Sequence, residues 1–127
     1  MNDPSYLNFF VERAASDAAV VAACTRASGC ALESDGNTID DPQGYVQITE
    51  YTDGFRMGLC IIAAPDVPVT RSHEAVAQAI ARELRQRVLF DIEDPSTASG
   101  ERWILAMPDG AVSTVDIVEY EDGVGLA

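Results

Sequence analysis

The stretch FDIEDPSTASGERW, residues 90–103, carries the side chains in this sequence that most suggest chemistry. Asp91, Glu93, Asp94 and Glu101 are carboxylates, which in general hold a hard metal ion, transfer protons or bind a basic partner. Calcium needs about six or more oxygen ligands, and the spacing lacks the D-x-D-x-D-G pattern. An acid–base pair needs surroundings that separate two pKa values, which a solvated strand end does not supply. The cluster is therefore interpreted as solvated strand-end acids or as a binding face.

Histidine and cysteine supply no catalytic set. His73 is the only histidine, and neither a GxSxG motif nor a loop cysteine accompanies it as a nucleophile, so it is predicted to pack or cap at a helix start. Cys24, Cys30 and Cys60 form no CxxC pair and are interpreted as buried free thiols. The sequence thus predicts no catalytic residue, no metal ligand and no cofactor, and the protein is interpreted as non-enzymatic.

The charge of the chain restricts its partners. Its 21 acidic residues face only 8 basic ones, giving a net charge of −13 in 127 residues. Such a field repels nucleic acids and anionic membranes and attracts basic proteins. The same charge also keeps a small protein soluble, and composition does not separate these two explanations. Reduced thiols and a charged N-terminal stretch predict a cytoplasmic protein without a signal peptide or membrane span.

The first element is predicted as a helix within residues 1–29 of a single domain spanning residues 1–127. Asp3 is placed to cap its start and Gly29 to end it. The apolar stripe of this predicted helix recurs at helical spacing and comprises Leu7, Phe10, Val11, Ala14, Ala18, Val21 and Ala22. Phe9 falls on the flank of the helix.

A second helix is predicted over residues 72–87, with Thr70 or Ser72 as its cap. Its apolar positions are Val76, Ala77, Ile80 and Leu84. The arginines near its end complement the helix dipole and indicate no nucleic-acid site within so acidic a chain.

The remaining segments predict strands. A hairpin joins residues 45–52 to 55–64 through the turn signal Asp53-Gly54. Later strands are predicted over residues 88–92, 102–107 and 111–120, and the acidic, glycine-rich residues 119–127 are predicted to fray. The fold class is therefore α+β, with two helices packed on one face of an antiparallel sheet of about five strands, in the order α-β-β-α-β-β-β.

Alternation along the strand that begins at residue 88 predicts which side chains face the solvent. Phe90 and Ile92 point to the core, whereas Asp91 and Glu93 point the other way with Leu89. Trp103 is interpreted either as core or as an interface anchor surrounded by acids. The predicted partner-binding set is Asp91, Glu93, Asp94, Glu101, Trp103, Glu119 and Glu121.

Residues 79–117, AIARELRQRVLFDIEDPSTASGERWILAMPDGAVSTVDI, are similar to small acidic immunity proteins of bacterial toxin–immunity systems. In both, a helix leads into an apolar strand, an acidic turn, a strand opening on tryptophan and a PDG turn. The resemblance implies a cytoplasmic inhibitor that blocks a basic toxin domain through an acidic surface.

A homodimeric chaperone for secreted effector proteins is the alternative. Such chaperones also combine helices with an antiparallel sheet and dimerise through apolar helix faces. The surplus of apolar side chains at Phe9, Phe10 and Val11 would suit a dimer through the first helix. The lack of a third helical pattern near the C-terminus speaks against this alternative.

Overall fold

Residues 5–67 and 69–127 are described by a computed structural model, and over them the chain forms two helices and ten strands of the α+β class. The predicted cap Asp3 lies outside the described residues. The elements are β1 Ser5–Val11, α1 Asp17–Ser28, β2 Leu32–Glu33, β3 Gly44–Glu50, β4 Asp53–Gly54, β5 Met57–Ala63, α2 His73–Leu84, β6 Val88–Glu93, β7 Glu101–Ala106, β8 Val112–Val115, β9 Ile117–Tyr120 and β10 Gly123–Leu126.

The predicted helix over residues 1–29 is wrong in its first half, where the chain forms strand β1. This strand pairs antiparallel with β5 along its whole length and with β6 at its end, so it lies inside the large sheet. Phe9 and Val11 are buried on one face, while Phe10 points to the other. A run in which nearly every position is apolar satisfies both the helical and the strand period. Pairing with two distant strands therefore decides its structure.

Helix α1 begins only at Asp17. The Ser16 hydroxyl caps it by accepting a hydrogen bond from the Ala19 N–H at 3.2 Å. Gly29 ends the helix in the left-handed region with φ 76°, as predicted. The second predicted helix is confirmed as α2, capped by Ser72. It ends at Leu84 rather than at residue 87.

The prediction of one antiparallel sheet of about five strands is wrong, because the strands form two sheets. Seven strands form a mixed sheet in the order β2-β3-β5-β1-β6-β7-β8, where β2 pairs with β3 in parallel. Strands β4, β10 and β9 form a small second sheet. The hairpin of β3 and β5 is confirmed. The Asp53-Gly54 dipeptide of its turn, however, also pairs in parallel with β10 as strand β4.

The residues predicted to fray, 119–127, instead contain the end of β9 and all of β10. Val124 of β10 is only 5% exposed and packs against Phe55 and Leu89 in a second apolar cluster. At Gly123, whose φ is 141°, a Cβ atom would lie 2.2 Å from the Asp53 carbonyl oxygen. Glycine here permits the close pairing of β10 with β4, and it does not mark a loose end.

The main core lies between one face of the large sheet and both helices. His73 packs there as predicted for a helix-end residue, since its ring centre is 4.9 Å from that of Phe9 and its Nε2 is 3.0 Å from the Asn8 carbonyl oxygen. Because Phe9 and Val11 are buried within this core, they offer no exposed surface for a dimer. The largest fully buried core side chains include Phe9, Leu32, Leu59, Ile61, Ile80 and Phe90.

Candidate functional site

The face of the large sheet that points away from the helices is covered by the small sheet over only part of its area. We call the uncovered part the open face. Asp91 and Glu93 lie on it, on the same side of β6 as Leu89, so the predicted alternation is confirmed. At the strand positions of the open face that the structure describes, no arginine is found. These positions include Tyr6, Asn8, Gln47, Thr49, Cys60, Asp91, Glu93 and Glu101.

Strand register brings three of the predicted acids near the tryptophan, and a cleft adds a fourth. Asp91 lies directly opposite Trp103, and Glu93 lies directly opposite Glu101. Glu119, from the small sheet, lines with Glu101 and Trp103 a cleft of about 390 Å³. We call Asp91, Glu93, Glu101 and Glu119 the acidic patch.

The opposition of Glu93 and Glu101 has a cost in stability. Like charges directly opposite each other on neighbouring strands repel, and both side chains are exposed. Within residues 5–67 and 69–127, neither one forms an ion pair. The nearest arginine in sequence, Arg102, approaches Asp94 with its Nε at 3.5 Å. The acidic patch therefore holds negative charge that the described chain does not neutralise.

Glu101→Arg is expected to raise the free energy of unfolding by about 0.5–1 kcal/mol at low salt, because it turns a repulsive cross-strand pair into an attractive one. Urea unfolding at low and high salt measures the gain, which should shrink as salt screens the pair. Asp40→Arg, in an exposed loop, makes the same change in net charge. An equal gain in Asp40→Arg would assign the effect to net charge and not to the Glu93–Glu101 pair.

Two members of the predicted set, Asp94 and Glu121, lie outside the acidic patch. The Ser96 hydroxyl and the Ser96 N–H donate to Asp94 Oδ1 at 2.6 and 3.0 Å, which closes the turn between β6 and β7. Asp94 also contacts Arg102. Asp94 is thus a turn residue, and Glu121 lies exposed in the turn between β9 and β10.

The contacts of Asp94 make its titration a test of the turn. Hydrogen bonds from the Ser96 hydroxyl and N–H hold the pKa of Asp94 below its ordinary value, and Arg102 adds to this shift. Since the folded-state pKa is lowered, the ionised carboxylate stabilises the fold above the ordinary aspartate pKa, and this contribution is lost as pH falls through the lowered pKa. Ser96→Ala is expected to raise the pKa of Asp94, as measured by carboxyl NMR titration. The Ser99 hydroxyl contacts the backbone of Glu101 instead, so Ser99→Ala should leave the pKa of Asp94 unchanged.

An aromatic row, which the sequence did not reveal, lies beside the acidic patch on the open face. It consists of Phe10, Tyr51 and Trp103, with the ring centre of Phe10 5.8 Å from that of Tyr51 and 6.0 Å from that of Trp103. Tyr51 lies over Gly58, where a Cβ atom would be 2.8 Å from its Cε2. A glycine inside a strand permits such a close approach.

Trp103 is packed on one side and accessible on the other. Its ring packs against the second apolar cluster, to which Leu89 and Val124 belong. The residue is nevertheless half-buried, and it lines the clefts on both sides of Glu119. A tryptophan fixed by a core and open on one side is typical of an interface anchor.

The three cysteines are free thiols that are wholly or partly buried. Cys24 and Cys30 are buried, as predicted, and Cys60 is half-buried. Burial raises the pKa of Cys24 to about 12 and also raises the pKa of Cys60. Both thiols are therefore protonated at neutral pH. In the part of the chain that the structure describes, no three metal-ligating side chains converge.

A second acidic cleft, of about 360 Å³, lies between the start of α1 and β3 and is lined by Asp17, Asp35 and Glu50. The Tyr45 hydroxyl donates a hydrogen bond to Asp35. One carboxylate of this cleft, that of Asp35, therefore already has a hydrogen-bond partner within the chain. The Ser34 hydroxyl is buried beside it without a hydrogen-bond partner among the described residues.

Comparisons with protein-family models, with curated proteins and with solved structures give no match for this chain. The two helices of the described residues, α1 and α2, are not long and apolar enough to cross a membrane.

Proposed function

We propose that this chain is a non-enzymatic acidic binding protein that acts in the cytoplasm as an immunity or inhibitor protein against a basic partner, such as a bacterial toxin domain. The observation that carries the proposal is the direct opposition of Glu93 and Glu101 inside the acidic patch. A sheet surface with no partner gains nothing from this repulsion. A cationic side chain of a basic partner would be attracted to both glutamates and would offset their mutual repulsion.

The patch acids belong to the acids of the chain that have no arginine partner. Among the described residues, arginine pairs only with Glu12, Glu83 and Asp94, which lie outside the patch. Uncompensated acids around a half-exposed tryptophan match the usual anatomy of an interface, in which an aromatic anchor is surrounded by polar side chains.

The mode of action follows from charge and shape. A toxin that binds nucleic acid needs a basic groove, and an acidic surface that fills the groove blocks the substrate. Long-range attraction between opposite charges accelerates the encounter, and salt weakens this effect. The backbone of the patch residues on β6 and β7 is held by a continuous sheet, so little backbone entropy is lost on docking.

A pull-down from lysate of the native host with three baits tests the proposal. The baits are the wild type, the patch variant Glu93→Gln/Glu101→Gln/Glu119→Gln, and the matched variant Asp40→Asn/Asp66→Asn/Glu74→Gln, in which three other exposed acids are neutralised. We expect a basic protein to be retained by the wild type and the matched variant and lost by the patch variant. Equal loss from both variants would show that net charge, and not the patch, holds the partner, and equal retention on all three baits would show that the partner does not bind through the patch. The capture of no basic protein by the wild type would overturn the proposal.

The purified partner then provides a quantitative test. At low salt, the association rate of the patch variant should be about tenfold below that of the matched variant, with a flatter dependence on ionic strength. An equimolar amount of wild type should abolish the activity of the partner. A partner that binds through the patch but stays fully active would refute the inhibitor function.

A further inference from the structure

A cleft of about 270 Å³ opens where the small sheet meets the open face. The aromatic row of Phe10, Tyr51 and Trp103 lines it, together with Glu119 and Tyr120 of β9. We call it the aromatic cleft. It adjoins the acidic patch because Trp103 and Glu119 line both this cleft and the neighbouring one.

The rings of the aromatic cleft are positioned before any ligand arrives. Phe10 lies on β1 inside the sheet, and the missing side chain of Gly58 leaves the space that Tyr51 occupies. The small sheet supplies the facing wall through Glu119 and the glycine backbone at Gly123. A preformed site of this kind loses little entropy when it binds a ligand.

The electrostatics of the aromatic cleft favour a cation. Glu119 is the charged residue among those lining it, and it forms no ion pair among the described residues. The faces of aromatic rings carry negative potential and attract cations, with tryptophan the most effective. Asp91, opposite Trp103 in the register, adds negative charge on the same face of the sheet. An anionic ligand would be repelled, and a neutral apolar one would leave Glu119 unpaired.

We propose that the aromatic cleft binds an arginine side chain of the partner, an inference that rests on the proposed function for the source of that arginine. A guanidinium group is planar and weakly hydrated, so it stacks on aromatic faces while donating two hydrogen bonds to a carboxylate. The ammonium group of lysine is compact and strongly hydrated, and it forms no such planar pair. The cleft therefore prefers arginine to lysine, and this preference adds specificity to the general charge attraction of the acidic patch.

Titration of the intact protein with N-acetyl-arginine methylamide tests the proposal without the partner. Trp103 is the only tryptophan, so its indole N–H signal in NMR and its fluorescence both report on the cleft. We expect saturable binding in the millimolar range for the arginine probe, about tenfold weaker binding for N-acetyl-lysine methylamide and none for the isosteric, neutral N-acetyl-citrulline methylamide. Equal binding of citrulline would show an apolar pocket, equal binding of lysine would remove the arginine preference, and the absence of saturable binding would overturn the site.

A matched pair of variants separates the carboxylate of the cleft from net charge. Glu119→Gln should weaken arginine binding by about 3- to 10-fold. Glu121→Gln makes the same charge change two positions away, in the exposed turn, and should leave the affinity unchanged. An equal loss in both variants would contradict the assignment of Glu119. The two proposals can fail separately. If the wild type binds the arginine probe but the patch variant still retains the partner, the proposed function is refuted and the cleft is not. If the patch variant loses the partner but the wild type does not bind the arginine probe, the cleft is refuted and the proposed function is not.

Discussion

Replacing Phe9 by alanine is expected to lower the free energy of unfolding by about 3–5 kcal/mol. Phe9 is 1% exposed, and its ring centre lies 4.9 Å from that of His73 and 6.3 Å from that of Phe90. Truncation leaves a cavity between β1, β6 and α2. The neighbouring strands hold β1 on both sides, so the cavity cannot collapse easily. Urea unfolding followed by circular dichroism measures the loss.

Two other aromatic positions of β1 serve as controls for Phe9. Tyr6→Ala removes a ring that is 57% exposed on the open face, and it should change the free energy of unfolding by no more than about 0.5 kcal/mol. Phe10→Ala, from a half-buried position, should fall between the two. A helix through this segment would place Phe10 on the buried stripe and Phe9 on its flank. A larger loss for Phe10 than for Phe9 would therefore contradict strand β1.

Helix α2 could be predicted from the sequence because all its signals are local. The Ser72 hydroxyl accepts a hydrogen bond from the Ala75 N–H, and Val76, Ala77 and Ile80 recur at helical spacing and are all fully buried. The same kind of signal was present for α1 at Ser16, where a capping side chain precedes an acidic first turn. The apolar run before Ser16 concealed it by extending the helical pattern backwards.

Strands β1 and β10 could not be predicted, because their structure depends on distant partners. β1 pairs with β5 and β6, and β10 pairs with the turn residues of β4. Hydrophobic period and turn signals describe a segment and its neighbours in sequence, but they do not say which distant backbone offers hydrogen bonds. The glycine-rich pattern of residues 119–127 therefore predicts a frayed end, although Gly123 is required for close packing.

The candidate site also could be predicted only where its features depend on residues close in sequence. The positions of Asp91 and Glu93 followed from the two-residue period of a strand. Their relation to Glu101 and Trp103 requires the register of β6 and β7, and Phe10 and Tyr51 reach the site from elements distant in sequence. The sequence places Asp94 in the partner-binding set because nothing in it shows that this carboxylate accepts the hydrogen bonds of a turn.

Gly54→Ala is expected to detach the small sheet from the large one and to lower the free energy of unfolding by about 2–5 kcal/mol. Gly54 has φ 67°, and a Cβ atom there would lie 2.1 Å from the Val124 carbonyl oxygen. That same oxygen accepts a hydrogen bond from the Phe55 N–H at 2.8 Å. Alanine would strain the backbone and also separate β4 from β10, exposing Val124. A red shift of Trp103 fluorescence, together with the urea unfolding curve, measures the change.

Gly100→Ala provides the matched control for Gly54→Ala. Gly100 also has a positive φ, of 80°, but a Cβ atom there would meet nothing within 4 Å. Its replacement therefore costs only the backbone strain, about 1–2 kcal/mol, and should leave the tryptophan fluorescence unchanged. An equal loss in both variants would mean that the contact of Gly54 with β10 contributes nothing. Since β9 carries Glu119, Gly54→Ala should also abolish binding of the arginine probe, while Asp91, Glu93 and Glu101 stay in place on the large sheet. Retained arginine binding after detachment would show that the small sheet is not a wall of the aromatic cleft.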